Sequence, residues 1–360
     1  METKRSRMKS AVIVLALGSM LVFLALSMAG DSGSGAPIGP GPTILTDAQP
    51  ISSLPFTISQ PGSYSLTQNL QDLFFPSSPH DNAIEVNADN VTIDLGGYSL
   101  IGPGANSGTS NGIHMNGRTN VEICHGTVTG FGNNGIYEEN NDTGSGHRVV
   151  GLRVVSNGGH GILLWGSNHT VKDCTVIENC LTVLQGYGAI TCGSSSTVTG
   201  NVASNNNIVG INTGSGCMIC DNTVSGNFLG IAPWYGCSVI DNTVSYNVAD
   251  GIQVAADGNL IKGNALSGNQ ESGINVSGSY NSVEGNLATY SGVGIEFSNA
   301  DNFYANNRAL ANTQNFGGTL PSGSRNGGGN VAFGTLPGAN INAIQKPDVR
   351  SSVSKTVNGK

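Results

Sequence analysis

The residues able to move protons are concentrated between Asn111 and Cys180. Five of the six histidines lie in that stretch, with two adjacent glutamates and several other charged residues. The candidates are His114, His125, His147, His160, His169, Glu138, Glu139, Asp142, Arg148, Arg153 and Asp173. The segment from Ile211 to Ile295 contains no His and no Arg. A site for acid–base chemistry is therefore expected before Ile190.

Two kinds of carbohydrate chemistry can be assembled from these residues. Hydrolysis of a glycosidic bond needs two carboxylates flanking the bond, which Glu138 or Glu139 could form with Asp142 or Asp173. Elimination from a uronate needs a base beside a group that neutralises the sugar carboxylate. Arg148 or Arg153, with carboxylate-bound Ca²⁺, would serve that purpose. The alternative is that all these side chains are solvated on an exposed face.

An internal repeat predicts the elements that hold these side chains. The dipeptide Gly-Ile recurs along the chain, and from Ile211 onward its steps are 20, 21, 22 and 21 residues. It occurs at Gly112-Ile113, Gly135-Ile136, Gly161-Ile162, Gly210-Ile211, Gly230-Ile231, Gly251-Ile252, Gly273-Ile274 and Gly294-Ile295. An asparagine column runs in phase with it, at Asn201, Asn222, Asn242, Asn264, Asn286 and Asn307. Short alternating apolar runs followed by Asn or Gly predict short strands joined by sharp corners.

The repeat of Asn-x-Val and Gly-Ile resembles exported members of the pectate-lyase-like superfamily of right-handed parallel β-helices. The resemblance covers about Asn82 to Asn312, and Leu54-Pro55-Phe56-Thr57-Ile58 is similar to the entry into the first coil. It implies an all-β solenoid of about ten coils with a period of about 22 residues. The handedness follows from the resemblance alone. A carbohydrate ligand is implied in the same way.

The segment Gly159-His160-Gly161-Ile162 resembles the Gly-His-Gly motif of polygalacturonases, in which the histidine assists a catalytic aspartate. The paired aspartates of that family are absent here, because Arg148 to Ser156 occupies the preceding coil. His160 is a catalytic candidate by this resemblance. The alternative, which the coil repeat favours, is that His160 is a turn residue.

Aromatic side chains could provide platforms for sugar rings. Trp165 and Trp234 each lie three residues after the isoleucine of a Gly-Ile dipeptide, so they are expected in one column. Tyr137 lies on the coil before Trp165. We therefore predict that these three residues contribute to substrate binding.

The uneven spacing before Ile190 indicates where loops leave the coils. From Ile84 the steps are 29, 23, 26 and 28 residues, so the extra residues form loops around 102–109, 140–146 and 180–186. Insertions in a solenoid often line its binding face.

Sequence composition divides the chain into five parts. A basic start followed by an apolar stretch predicts a signal peptide over residues 1–29, with an uncleaved anchor as the alternative. A Gly/Ser/Pro linker follows over 30–42, and an N-terminal cap is expected over 43–81. The β-helix is predicted over 82–316, and a Gly-rich, loosely ordered tail over 317–360. The protein is thus expected to be secreted, on the cell surface or in the periplasm.

The charge of the chain excludes some partners. The net charge is −8, and without residues 1–29, which hold four of the 15 basic and one of the 23 acidic residues, it becomes −11. Nucleic acid and anionic membranes need a basic patch, so neither is an expected partner. We expect a monomer that binds a polysaccharide or cell-surface glycan, with Ca²⁺ as the one cofactor considered.

Seven cysteines in an exported chain raise the question of disulfides. Cys217 and Cys237 align on adjacent coils, where a spacing of about 4.8 Å suits a bridge. They are the one candidate pair, and an odd total leaves at least one free thiol.

Two functions follow from the sequence. The first is an exported carbohydrate-binding or carbohydrate-active β-helix with lyase-like or glycosidase-like chemistry. The second is a non-catalytic, adhesin-like surface solenoid. The Gly-Ile and Asn columns predict the fold specifically but say little about the activity.

Overall fold

The computed structural model describes residues 48–72, 82–139, 143–181 and 188–335. Their regular structure is all β, apart from a single turn of 3-10 helix at Gly323–Arg325. The strands pair in parallel with strands one coil away. The chain is therefore a parallel β-helix, and each coil contributes one strand to each of three faces.

The three faces are defined here in the order in which the chain passes through a coil. The first face consists of Phe56–Ile58, Asn82–Val86, Asn111–Met115, Ile136–Glu138, Ile162–Ser167, Gly188–Ser194, Val209–Thr213, Leu229–Ala232, Ile252–Val254, Ser272–Val276, Val293–Phe297 and Gln314–Gly318. The second face consists of Gln49–Ile51, Gly62–Leu66, Val91–Asp94, Thr170–Lys172, Thr197–Thr199, Met218–Cys220, Ser238–Ile240, Leu260–Lys262, Ser282–Glu284, Phe303–Ala305 and Asn326–Gly328. The third face consists of Leu70–Gln71, Ser99–Ile101, Thr175–Ile177, Val202–Ser204, Thr223–Ser225, Thr243–Ser245, Ala265–Ser267, Leu287–Thr289, Arg308–Asn312 and Val331–Thr335. Two longer strands, Val121–Thr129 and Arg148–Val155, cross from the second face to the third.

Inward-facing side chains form continuous apolar columns through the solenoid. On the first face, the isoleucine of each Gly-Ile dipeptide is fully buried, as Ile113, Ile211 and Ile274 illustrate. Burial of one such side chain contributes about 1.5–3 kcal/mol. The glycine before it is needed for space, because a Cβ at Gly230 would lie 2.6 Å from Cγ1 of Val244 on the third face. The glycine therefore lies where the first face is close to both the next coil and a side chain of the third face.

Each coil turns at three corners, called the first, second and third corner after the face that precedes them. At a typical corner one residue has a positive φ and the next points its side chain inward. Asp241 (φ 54°) followed by Asn242 is an example at the second corner. Glycine occupies the positive-φ position in neighbouring coils, at Gly263 and Gly285, because it adopts this conformation without strain.

The inward corner residues hydrogen-bond from coil to coil in ladders. Oδ1 of Asn242 accepts the backbone N–H of Asn222 at 3.0 Å, and its Nδ2 donates to the carbonyl of Ile219 at 2.9 Å. The same arrangement repeats from Asn201 to Asn330 at the second corner and from Asn157 to Asn269 at the third. These ladders satisfy buried backbone groups that no strand reaches.

The ladder at the first corner changes residue type along the axis. Its accepting side chains are those of His147, His169, Ser196, Cys217, Cys237, Asn259, Asn281 and Asn302. Nδ1 of His169, for example, accepts the backbone N–H of His147 at 3.2 Å. Histidine, serine and cysteine thus fill the place that asparagine takes in the later coils.

The coil strands extend beyond the predicted range of 82–316. Phe56–Ile58 pairs with the strand that begins at Asn82, and Gly62–Leu66 pairs with Val91–Asp94, so the described part of the expected cap is a coil. Val331–Thr335 likewise pairs with Arg308–Asn312 inside the expected tail. Parallel pairing is made by main-chain groups, which a Gly- and Ser-rich segment retains. Residues 1–47, 73–81 and 336–360 lie outside the described residues, and so does the proposed signal peptide.

Within the described ranges, no helix is long and apolar enough to cross a membrane.

Candidate functional site

The outward side chains of the first face form a column beside the isoleucines. Glu85, His114 and Tyr137 are register partners on three consecutive coils. The column continues through Leu163 and Thr191. It places titratable and aromatic groups side by side, and Glu139 comes directly after the strand that holds Tyr137.

Glu85 and His114 form a hydrogen-bonded pair at the centre of this cluster. Nδ1 of His114 lies 3.0 Å from Oε1 and 2.9 Å from Oε2 of Glu85. Glu85 also accepts a hydrogen bond from Nδ2 of Asn82 at 2.8 Å. Because a carboxylate accepts, Nδ1 of His114 is the donor and carries a proton. The pair therefore fixes the orientation of the imidazole and directs Nε2 away from Glu85.

The other side of His114 faces Glu139 and Tyr137. Nε2 lies 3.7 Å from Oε1 of Glu139, and the Tyr137 ring lies 5.4 Å from the imidazole at an interplanar angle of 31°. The side chains of His114, Glu85 and Glu139 are 11%, 28% and 42% exposed. Glu139 is thus the carboxylate that solvent or a ligand reaches most readily.

The charges in this cluster favour the ion pair. Burial acts against the charged imidazole, but the hydrogen bond and charge of Glu85, with the charges of Glu139 and Glu138, outweigh it and raise the pKa of His114. Burial likewise opposes ionisation of Glu85, and the hydrogen bond and charge of His114 together with Asn82 outweigh it, so its pKa is lowered. His114 is therefore a proton donor that stays charged to a higher pH than an ordinary histidine.

Long connections border this part of the first face. The segment 102–110 leads into the first-face strand of His114, whereas only 226–228 separates the corresponding strands later. The carbonyls of Ala105 and Gly108 lie so close to Gly158 and Gly132 that a Cβ there would clash. The segment therefore extends along the axis beside the first face over the next two coils. Of the other predicted loops, residues 140–142 and 182–187 lie outside the described residues.

Glu138 does not belong to the outward cluster. It alternates inward between Tyr137 and Glu139, is fully buried, and pairs in register with Met115. Its carboxylate contacts Nε2 of His147 at 2.9 Å and accepts the backbone N–H of Gly117 at 2.5 Å. It therefore ties together the first corners of two coils, and a substrate cannot reach it in this structure.

The other predicted catalytic residues are scattered. Arg148 is on the second face and pairs with Glu122 (Nε to Oε2, 3.4 Å). His160 is buried at the third corner, where Nδ1 donates to the carbonyl of Gly188 at 3.0 Å. Asp173 is a positive-φ residue of the second corner, 3.7 Å from Nζ of Lys172. The structure does not bring these residues together with Glu138 or Glu139 in one groove. Asp142 lies outside the described residues.

No Ca²⁺ ligands can be assigned from Asp221 and Asp241, which the coil repeat aligns on neighbouring coils. Asp221 and Asp241 are positive-φ corner residues with exposed side chains, like Asp173. This position suits Asp for reasons of backbone conformation alone. Ca²⁺ binding stays a prediction without assigned ligands.

The predicted aromatic platforms occupy different settings. Tyr137 belongs to the cluster on the first face. Trp165 lies on the same face, and Trp234 follows the strand of that face three coils later. At 4.8 Å per coil, the coils of the two tryptophans are roughly 14 Å apart along the axis. The carbonyl of Trp165 accepts a hydrogen bond from Nε2 of His169 at 2.8 Å. Trp234 is 53% exposed and packs edge-on against Tyr235, with 5.2 Å between ring centroids.

The predicted bridge between Cys217 and Cys237 is not formed. All seven cysteines are free in the structure. The two residues do occupy adjacent places in the first-corner ladder, where Sγ of Cys237 accepts the N–H of Cys217 at 3.4 Å. The hydrogen bond with Cys237 and burial raise the pKa of the Cys217 thiol. Reduced thiols thus fill the ladder positions that asparagine fills elsewhere.

A second polar cluster lies on the first face of the later coils. Asp250 accepts the N–H of Ser272 at 2.9 Å and Nδ2 of Asn275 at 3.0 Å, and burial raises its pKa. Oγ of Ser272 donates to Glu296 at 2.8 Å. Asp250 is only 1% exposed, so this network is closed to a large ligand. Glu296 occupies the same column as Glu85 and His114 without a histidine partner.

Sequence reasoning counted His114 among the titratable candidates but missed Glu85 and the pairing of the two. The signal was present, because Glu85 follows Ile84 as His114 follows Ile113. Reading the Gly-Ile column back to Ile84 would have placed the two side chains next to each other on one outward face.

Comparison with known proteins supports the fold. Residues 229–327 match the family model described as the right-handed β-helix region. The predicted right-handed parallel β-helix is thereby confirmed. No curated protein matches the sequence significantly.

Several solved structures are similar to the chain at low sequence identity. The Dettilon tailspike protein is 16% identical, with a TM-score of 0.46 over 80% of this chain, which spans 60% of the tailspike chain. The A-module of the mannuronan C-5 epimerase AlgE4 from Azotobacter vinelandii is 14% identical, with a TM-score of 0.48, over 76% of this chain and 87% of that one. DFA-IIIase from Arthrobacter chlorophenolicus A6 without its lid is 14% identical, with a TM-score of 0.41, over 78% and 75% of the two chains.

Proposed function

We propose that the protein is a carbohydrate-active β-helix that binds a neutral glycan along the first face of its earlier coils. Proton transfer at His114 and Glu139 then acts on the bound sugar. The observation that carries this proposal is the grouping of Glu85, His114, Tyr137 and Glu139 from three consecutive coils on an outward face.

The geometry supports a role in proton transfer. A base or acid is effective when a second group holds its orientation, as Glu85 holds His114 at 2.9 Å. The 3.7 Å between Nε2 and Glu139 exceeds a normal hydrogen bond. A sugar hydroxyl or a water entering between them could bond to both. For hydrolysis, His114 would give its proton to the oxygen of the breaking glycosidic bond, and Glu139 would take a proton from the water whose oxygen bonds to the anomeric carbon.

The surroundings favour a neutral glycan over a polyanion. Glu85 and Glu139 both present carboxylates at the cluster, and the chain carries a net charge of −8. A uronate polymer would be repelled unless a cation intervened. The ring of Tyr137 offers an apolar surface of the kind that packs against a sugar ring.

The test is release of reducing ends from neutral polysaccharides such as glucans, xylans and mannans. We expect the wild-type protein to cleave one of them and Glu139→Gln to lower its turnover by about 100-fold or more, the usual contribution of acid–base catalysis. Glu296→Gln is the matched control, since it alters a carboxylate of the same column outside the cluster. It should cleave like the wild type.

Two outcomes would change the proposal. Binding without cleavage would leave a glycan-binding module, close to the adhesin-like solenoid considered from the sequence. Absence of both binding and cleavage on neutral and uronate glycans would contradict it. Export through residues 1–29, and action as a monomer, are part of the proposal, and N-terminal sequencing and light scattering test them.

A further inference from the structure

We propose that Asp94, Cys124 and His125 form a binding site for Zn²⁺ on the outer surface of the second corner. Each residue offers one donor atom, and these atoms lie within 4.8 Å of one another. In the part of the chain that the structure describes, this is the one group of three such side chains that converges so closely. The site is on another side of the coil from the first face and does not depend on the proposed function.

Backbone register brings these three side chains together. Asp94 and Cys124 are partners on adjacent coils, so their side chains project on the same side of the sheet. The next residue of a regular strand would point the opposite way. His125 instead has a φ of 55°, which ends the alternation and leaves its imidazole beside Asp94. Nδ1 of His125 and Oδ1 of Asp94 are 3.3 Å apart.

Main-chain hydrogen bonds hold the donors in place before any metal binds. Oδ1 of Asp94 accepts the N–H of Gly96 at 2.8 Å, and the carbonyl of His125 accepts the N–H of Gly97 at 2.6 Å. On the following coil, Gly151 lies beside the imidazole, since a Cβ there would be in ordinary van der Waals contact with Cδ2 of His125 at 3.7 Å. Such a site loses little freedom when it takes up an ion.

The donor set favours Zn²⁺ over Ca²⁺ or Mg²⁺. Thiolate and imidazole are ligands of Zn²⁺, whereas Ca²⁺ and Mg²⁺ take oxygen ligands. Three protein ligands would leave one coordination position for water. The neighbouring charges are Glu122 and Arg148, which pair with each other, so the carboxylate of Asp94 leaves the site negative. Burial, with the charges of Asp94 and Glu122, raises the pKa of the Cys124 thiol, so Zn²⁺ would displace the thiol proton on binding.

An incoming ion can reach this site. The side chains of His125 and Asp94 are 65% and 38% exposed, while Cys124 lies beneath them at 4%. The thiol is therefore accessible chiefly from the direction of its two partners. An ion held by all three would cover it.

The experiment is titration of the untagged full chain with Zn²⁺ by calorimetry, and with Co²⁺ as a spectroscopic substitute. We expect a single equivalent to bind, and the Co²⁺ form to show a thiolate-to-metal charge-transfer band. Cys124→Ser should remove that band. It should also weaken Zn²⁺ binding by more than about tenfold, the loss expected even for outer-shell changes.

Two further variants separate the site from general effects. His125→Gly keeps the corner conformation, since glycine occupies this position at Gly151, and should weaken binding similarly. Cys220→Ser removes a partly exposed thiol elsewhere and should bind like the wild type. Equal affinity of Cys124→Ser and the wild type, or a Co²⁺ complex without thiolate absorption, would overturn the proposal.

Discussion

Outward-facing and enclosed histidines experience opposite electrostatic environments. His114 points outward between two carboxylates, which raise its pKa. His160 and His169 are enclosed by the corners, and burial lowers the pKa of each. The outward histidine therefore contributes stability below its ordinary pKa that is lost as the pH rises through its folded pKa. For His160 and His169, the contribution to stability is present above the ordinary pKa and is lost as the pH falls through the lowered folded pKa.

For His169 the effect on stability can be predicted. Burial, with the neighbouring His147, lowers its pKa to about 4 from 6.5, although a bond to the Trp165 carbonyl opposes this. The unfolded chain binds the proton first, so stability is lost as the pH falls from 6.5 to 4. The shift corresponds to about 3 kcal/mol. His169→Asn should reduce the fall in the free energy of unfolding over this range, as measured by denaturant titration at several pH values.

The replacement is chosen to preserve the ladder. Asparagine fills the same first-corner position at Asn259, Asn281 and Asn302. Cys220→Ser, which removes a partly exposed thiol and leaves every histidine in place, is the control and should keep the wild-type pH dependence. If His169→Asn retained the full fall in stability below pH 6.5, the buried neutral histidine would not be its source.

At the scale of the element, the corner is the unit that repeats most faithfully. One residue adopts a positive φ. The side chain of the next residue hydrogen-bonds to main-chain groups that have no main-chain partner. The two positions thus have separate physical demands. The first demands backbone freedom, and the second demands both a donor and an acceptor in a confined space.

Adjacent substitutions at one corner should therefore differ sharply. Asn242→Ala leaves the N–H of Asn222 and the carbonyl of Ile219 without their partners, and should lower the free energy of unfolding by about 2 kcal/mol or more. Asp241→Gly relieves a positive φ and should change stability by less than about 1 kcal/mol. Chemical denaturation followed by circular dichroism measures both. Similar losses for the two variants would contradict this division of roles.

At the scale of the whole molecule, the sequence was sufficient for the solenoid and insufficient for the site. The Gly-Ile and Asn columns repeat a packing requirement at every coil, so they define the architecture without knowledge of distant contacts. By sequence, residues 54–58 resemble the entry into a first coil, but the β-helix was predicted to begin at residue 82, and the strand Val331–Thr335 lies in the predicted tail. The pairing of that last strand uses main-chain groups. A Gly-rich composition does not reveal such pairing.

The composition of the site depends on corner positions and on contacts between coils, which the repeat does not reveal. Residue alternation from Ile136 would have placed Glu138 inside and Tyr137 outside, so that part was predictable. The placement of Arg148 on the second face and of Asp173 at the second corner required the positions of the corners, which irregular coils obscure. The ion pair of His114 with Glu85 spans 29 residues of sequence and two unequal coils.

The most direct test of the first face as a glycan site is a histidine-selective NMR titration of the wild-type protein with neutral cello-, xylo- and manno-oligosaccharides. The His114 signals should shift on binding, because its imidazole faces Glu139 at the outward surface. The signals of buried His169 should stay in place. If the oligosaccharides left His114 unchanged, or moved only the exposed His125, the proposed site on the first face would be contradicted.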